Sequence, residues 1–283
     1  MEVNIHPTAD VDPRAELDEG VRIGPYSIIG PDVRIGAGTK IGPHVVISGV
    51  TRIGAENTIV GQASIGAEPQ DFSYRGEPTE VVVGDGNMIR EFVTINRGTQ
   101  KGGAVTQVGS RCLLMACSHI AHDCTLEDDV ILANNVMLAG HALIGKGANV
   151  SGAVGVHHFV TIGSYAYIGG MTRVERDIPP FMIVEGRHAR VRNVNIIGLQ
   201  RAGFSEEDIE ELRAAHRRIY RSREPQSQAL DALRSSEETA PIVRRLLDSL
   251  ERTEAGRKGR HREALREEFA RIGAERLAAG AQS

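Results

Sequence analysis

The chain of 283 residues contains no tryptophan, and six phenylalanines with five tyrosines bring its aromatic content to only 4%. Layered cores lean on aromatic bulk, so an interior this poor in rings has to be filled by aliphatic and small side chains. Cysteine is scarce too: Cys112, Cys117 and Cys124 are odd in number and form no C-x-x-C pair. That points away from a disulfide framework and toward reduced thiols in a cytoplasmic protein. No stretch approaches the roughly 20 apolar residues of a membrane span, and Met1 to Asp10 lacks a charged-then-apolar signal pattern, so no stable membrane insertion is expected. Nor is there an excess of positive charge. The formal net charge is −4, and no basic run is interleaved with aromatics, which argues against nucleic acid as a partner. What is present in excess is glycine, 32 residues, above the usual share of roughly 7%. With 41% hydrophobic residues, the length suffices for one large domain or two ordinary ones.

The hydrophobic residues are strictly spaced. From Ile5 to Ile65 every sixth residue is Ile, Val or Leu; the register resumes at Val83, Ile89 and Ile95, and runs again from Val108 to Val174. A small residue often follows four positions later, as at Ala9, Ser27, Thr39, Cys112, Cys124, Ala142 and Ala166. Gly often follows directly, as at Gly24, Gly36, Gly42, Gly145 and Gly163, and is expected to turn a corner at positive φ. A six-residue period is neither that of a strand nor that of an amphipathic helix. Short strands joined by tight turns and stacked into a parallel β-helix do produce it.

Two segments interrupt the period. Residues 67–80 and 97–107 are polar, carry Pro or Gly, and read as loops ejected from the coil, where insertions gather on the functional face. Pro179 and Pro180 halt the pattern. Ser205 followed by Glu206, Glu207 and Asp208 reads as a helix cap with an acidic first turn. The expected organisation is therefore a β-helix over 1–186, a small helical domain over 187–252, and a charged tail over 253–283, partly helical or disordered.

His119, His122, His141, His157 and His158 fall within a window of about 40 residues. On a coil of three hexapeptides, residues 18 apart lie above one another. His122, Gly140 and His158 then share a column, and Asp123 and His141 share the next. Two chemistries compete for such a patch. Neutral imidazoles are common zinc ligands, and some hexapeptide proteins hold metal between subunits. An imidazole also titrates near neutral pH and can take a proton from an alcohol.

The stretch from His119 to Cys124, then Asn134, Asn135 and His141, resembles the UDP-N-acetylglucosamine O-acyltransferases, hexapeptide-repeat enzymes of lipid A synthesis. Gln70 and Asp71, Gly76 to Thr79, Arg97 to Thr99, and Asp177 to Pro180 also match, and the resemblance spans about residues 1–250. It implies an all-β left-handed parallel β-helix followed by a small α-helical C-terminal domain. The left hand is taken from the resemblance, against the usual right-handed preference. It further implies a homotrimer that transfers an (R)-3-hydroxyacyl group from acyl carrier protein to the 3-hydroxyl of UDP-N-acetylglucosamine. No cofactor and no metal are expected, because the acyl group arrives on the carrier's phosphopantetheine.

Carried over residue by residue, the resemblance makes His122 the general base, Asp123 its orienting carboxylate, and the Gly140 N–H the oxyanion donor. Gln70 and Asp71 would hold the sugar, His119, His141 and His157 would support the site, and Met115 and Gly152 would line it. Asn195 and Arg201 would meet the nucleotide. Strand alternation sends residues 122 and 123 to opposite faces, so their pairing requires a corner or a second subunit. Ser73, Ile197 and Ala202 depart from the family's lysine, glutamate and arginine, which puts the nucleotide contacts in question. Arg213, Arg217 and Arg221 share one helix face and are expected to attract the acidic carrier. Gly170, one coil above Gly152, matches the family's chain ruler. Its rise above His122 is about 13 Å, room for roughly ten carbons, so with Gly there the preferred donor should be longer, about 12–14 carbons.

Overall fold

The computed structural model describes residues 2–280. Twenty-eight short strands, mostly two residues long, are followed by helices. Every third strand stacks on its predecessor, giving three sheets of 11, 9 and 8 strands. All pairings are parallel except a closing hairpin, Met182–Glu185 with Arg190–Val194. Ile5 pairs with Ile23, and Ile120 with Leu138, the expected 18-residue step. Where the loops leave the coil the register is kept by longer steps: Ile59 pairs with Ile89, and Ile89 with Leu114.

The sixth-residue aliphatics fill the axis. Ile29, Ile65, Leu114, Ile144 and Ile168 are no more than 1% exposed, each contributing about 1.5–3 kcal/mol of hydrophobic stabilisation. The small residues four positions later face the turns. The Ser27 and Thr39 hydroxyls donate to the carbonyls of Gly42 and Gly54, and the buried Cys124 thiol donates to Ala139. Burial pushes that thiol up to about 12. Cys112, Cys117 and Cys124 are all free, as expected.

The glycines act differently from the expectation. Positive φ falls on the third residue after most of the aliphatics, as at Tyr26, His44, Asp123, His141 and Phe159. The glycine directly after the aliphatic, such as Gly24 or Gly36, lies where coils nearly touch. A Cβ there would stand 2.8 Å from the Gly42 carbonyl carbon or 2.7 Å from that of Gly54.

Five boundaries also shift, two of them because Ala67 ends the strand Ser64–Ala67 and a helix runs to Ala255, past residue 252. The closing hairpin carries the sheet to Val194, past residue 186, and Glu80 and Val105–Gln107 belong to strands rather than to the ejected loops. Helix α1 (Ile196–Arg201), α2 (Glu206–Arg221), α3 (Gln226–Ser235) and α4 (Pro241–Ala255) form the helical region. The Ser205 hydroxyl caps α2 by accepting from the Asp208 N–H at 3.0 Å. The charged tail is ordered. It forms α5 (His261–Ala264) and α6 (Arg266–Gly280), which pack back on the coil, while residues 281–283 of the predicted tail lie outside the described residues. Among the described residues no helix is long and apolar enough to cross a membrane.

Candidate active site

The corner following Ile120 holds the functional side chains. Asp123 takes φ +61°, which swings its carboxylate back beside the preceding residue. The His122 Nδ1–H donates to Asp123 Oδ2 at 2.7 Å within one chain, so the pairing is made by the corner. This bond places the proton on Nδ1 and leaves Nε2 bare. The carboxylate is itself held: Oδ1 accepts from the Thr99 N–H at 2.8 Å, Oδ2 from the Thr99 hydroxyl at 2.6 Å. The Asp123 N–H donates to Thr106 Oγ1 at 2.8 Å. His122 and Asp123 are 7% and 1% exposed.

Gly140 stands one coil above. A Cβ on it would lie 2.5 Å from His122 Cε1 and 2.7 Å from Nε2, so the imidazole rests on a peptide that only glycine leaves bare. Among the described residues the Gly140 N–H makes no hydrogen bond, which leaves it available to a ligand. Both residues line an open cleft of about 700 Å³ across the outer face of the 9-stranded sheet, with Gln70, His119, His157 and His158.

Burial disfavours the charged form of three of the other histidines. His141 lies edge-on to His122 with centroids 5.1 Å apart and stacks on Phe159 at 4.1 Å. Burial pushes it down to about 4, although Asp123 pulls the other way. Burial also lowers His119, whose Nδ1 lies 2.7 Å from Thr94 Oγ1, and His158. His157 Nδ1 donates to the His158 carbonyl at 3.2 Å. In the first loop Asp71 accepts from the Ser73 N–H at 2.8 Å, and this bond holds its carboxyl below the usual range. Arg97 ties that loop to the second through the Tyr74 hydroxyl and the Gly66 carbonyl.

Other predicted residues lie apart. Met115 and Gly152 do not line this cleft; Gly152 belongs to the neighbouring corner, where a Cβ on Gly170 would sit 3.4 Å from its carbonyl oxygen. Gly170 is therefore directly above Gly152, as the period requires, but across the face from His122. Asn195 and Arg201 line a separate cleft of about 690 Å³. The Asn195 side chain is engaged at both ends, accepting from the Gly198 N–H as the cap of α1 and donating to the Tyr165 carbonyl. Arg213, Arg217 and Arg221 surround one depression with Arg192 and His216. Arg213 also pairs with Glu210, and Arg221 donates to the Arg192 carbonyl.

His122, Asp123 and His141 bring ligand atoms within 4.8 Å of one another, close enough for a cation. The carboxylate already accepts from Thr99 and His122, so a cation would have to displace those bonds. Thr99, Thr106 and Gly102 were not predicted as site residues. A Cβ on Gly102 would strike the Asp123 carboxylate, so the second loop closes onto it only with glycine there. Two signals in the sequence point to this loop, the Arg97–Thr99 match and the break in the six-residue period over 97–107.

Comparison with known proteins agrees with this geometry. Residues 14–49 match the family described as bacterial transferase hexapeptide (six repeats), and residues 177–259 match Udp N-acetylglucosamine O-acyltransferase, Domain 2. The acyl-[acyl-carrier-protein]--UDP-N-acetylglucosamine O-acyltransferase of Synechocystis sp. is 53% identical over 166 residues, 59% of this chain and 60% of its own length. The enzyme of the same name from Herminiimonas arsenicoxydans is 48% identical over 256 residues, 89% of this chain and 98% of its own. The structure of LpxA from Acinetobacter baumannii superposes with a TM-score of 0.82 at 45% identity, covering 88% of this chain and 96% of that one. The fold is thus a left-handed parallel β-helix with a helical C-terminal region. The chain belongs to the UDP-N-acetylglucosamine O-acyltransferase family.

Proposed function

We propose that this chain carries out its family's reaction, acyl transfer from acyl carrier protein to UDP-N-acetylglucosamine at the head of lipid A synthesis, with His122 as general base. The observation that carries the reading is the hydrogen-bonded series Thr99, Asp123, His122, ending on a bare Nε2 beside Gly140. Nε2 takes the proton of the sugar 3-hydroxyl, and the oxygen attacks the thioester carbonyl. The tetrahedral oxyanion is held by the Gly140 N–H. Collapse breaks the C–S bond, and the leaving thiolate recovers the proton from the imidazolium. Asp123 keeps the ring in the right tautomer and stabilises its charged form.

Gln70 beside the cleft and Asp71 in the same loop contact the sugar, and His119, His141 and His157 shape the site. Neither metal nor organic cofactor takes part. Within one chain the cleft with Asn195 and Arg201 shares no residue with the cleft of His122. A homotrimer that sets one chain's nucleotide cleft against a neighbour's base resolves this, with Met115 and Gly152 lining the composite site. The carrier docks on Arg213, Arg217 and Arg221, in the cytoplasm where acyl carriers reside. The acyl chain crosses the sheet face toward Gly152 and Gly170. Its path is diagonal, so the rise of about 13 Å is a lower bound and the donor exceeds ten carbons.

The test incubates purified protein with 3-hydroxyacyl carrier proteins of 10, 12, 14 and 16 carbons and either UDP-N-acetylglucosamine or its 3-amino analogue. An O-acylated product, best formed beyond ten carbons and shortened in Gly170→Met, is expected. Absence of product with every pair overturns the reading, and preference for the amino sugar reassigns the acceptor.

A further inference from the structure

The match to the family's second domain stops at residue 259, and the Herminiimonas relative, aligned over 98% of its own length, covers 89% of this chain. Helices α5 and α6 follow that stop, and they do not hang free. They cover the one corner of the coil that carries Asp123, His141 and Phe159 in a column.

Each member of the column is touched. The Arg262 Nε–H donates to the His141 carbonyl at 2.9 Å, while its guanidinium lies 4.7 Å over the Phe269 ring. The Arg266 guanidinium lies 4.3 Å over the Phe159 ring, which stacks on His141. Asp123 is reached through the turn Gln100–Gly102, which carries Thr99 onto the carboxylate. Helix α6 packs on this turn so closely that a Cβ on Gly273 would strike the Gln100 carbonyl oxygen, and the Arg276 Nη1–H donates to the Gly103 carbonyl at 3.1 Å. The segment is anchored at its start. The His261 N–H donates to Asp177 Oδ2 at 2.7 Å, and buried Arg260 donates to the Glu175 carbonyl and pairs with buried Glu263. Glu263 also pairs with Arg266, fixing the cation that covers Phe159.

We propose that residues 260–280, which follow the matched second domain, form a strut that positions the base by pressing the Thr99 turn onto Asp123 and sealing the His141 backbone. Arg262 and Gly273 are its positioning residues. None of its groups named here lines the cleft of His122. The strut acts on the orientation of a group that reacts and not on substrate contacts, so its loss lowers kcat more than it raises KM. The proposal rests on the reading of His122 as the base.

The experiment compares the full chain with a chain ending at residue 259 and with full-length Gly273→Val, Arg262→Met and Arg262→Lys. The expected result is a fall in kcat of about tenfold for the truncation, Gly273→Val and Arg262→Met, with KM for UDP-N-acetylglucosamine within about twofold. Arg262→Lys, which keeps a donor, is expected to recover most of the loss, and the Thr99 amide is expected to exchange faster in the three impaired chains. If the truncated chain does not fold, the point variants decide alone. Wild-type kcat in Gly273→Val and Arg262→Met, or a fall in kcat in these variants with Thr99 protection unchanged, overturns the strut. His122→Ala in the full chain separates the two ideas: if it retains activity the reading of the base fails, whatever the strut does.

Discussion

Two corners of the coil carry an imidazole stacked on a ring, with both residues in left-handed backbone conformation. At the first, Tyr26 lies 5.2 Å from His44, and both are exposed. At the second, His141 lies 4.1 Å from Phe159, and both are buried. The repeat supplies the same turn and the same contact in each place. What separates them is cover. The first corner faces solvent, whereas the second is closed by the turn after Thr99 and by α5 and α6. A solenoid thus offers many equivalent corners, and chemistry settles where non-repeating segments seal one of them.

The comparison breaks most visibly at Asp123. Asp123→Asn keeps the shape of the corner but replaces an acceptor of the His122 proton by an amide, which permits the wrong tautomer. Turnover should fall about 100-fold or more while the thermal midpoint changes little, and steady-state kinetics beside calorimetry check both. Gly140→Ala comes next. Its Cβ would displace the imidazole, and kcat should fall about tenfold or more, with the crystal structure of the variant showing a rotated His122.

A smaller effect concerns acid. His141 is held near pKa 4 in the folded chain, against about 6.5 unfolded, so between these values the unfolded state binds the extra proton. Stability is complete above pH 6.5 and declines as pH falls toward 4, by on the order of 1 kcal/mol per unit. His119 and His158 are shifted the same way and steepen the decline. Chemical denaturation at pH 7, 6 and 5 measures it, and His141→Gln should flatten it. The least effect belongs to the open corner: His44→Ala should leave turnover within about twofold and stability within about 0.5 kcal/mol.

Much of this was legible in the sequence because the period itself is geometric. Once the coil closes every 18 residues, His122 and Gly140 must be neighbours, and Gly170 must sit on Gly152. The same arithmetic does not show where positive φ falls within the hexapeptide, so it does not tell a glycine that turns a corner from one that lets two coils approach. The contact of Thr99 with Asp123 is out of reach for another reason: it is made from an ejected turn, whose path no repeat dictates. The tail's charge left open whether it is partly helical or disordered. Arg262 and Arg266 lay their guanidinium groups on Phe269 and Phe159, so a charged segment expected to be partly helical or disordered is helical and packed.

The central claim is that one imidazole, held by Asp123 at the covered corner, removes the sugar proton. Its most direct measurement is the turnover of His122→Ala with saturating acceptor and carrier-bound donor, on protein whose circular dichroism and assembly match the parent. The site is a surface cleft, so the substitution opens no core cavity and the fold should persist. A loss of about 10²–10⁴ in rate is predicted. Retention of more than about a tenth of the parent's activity would contradict the account.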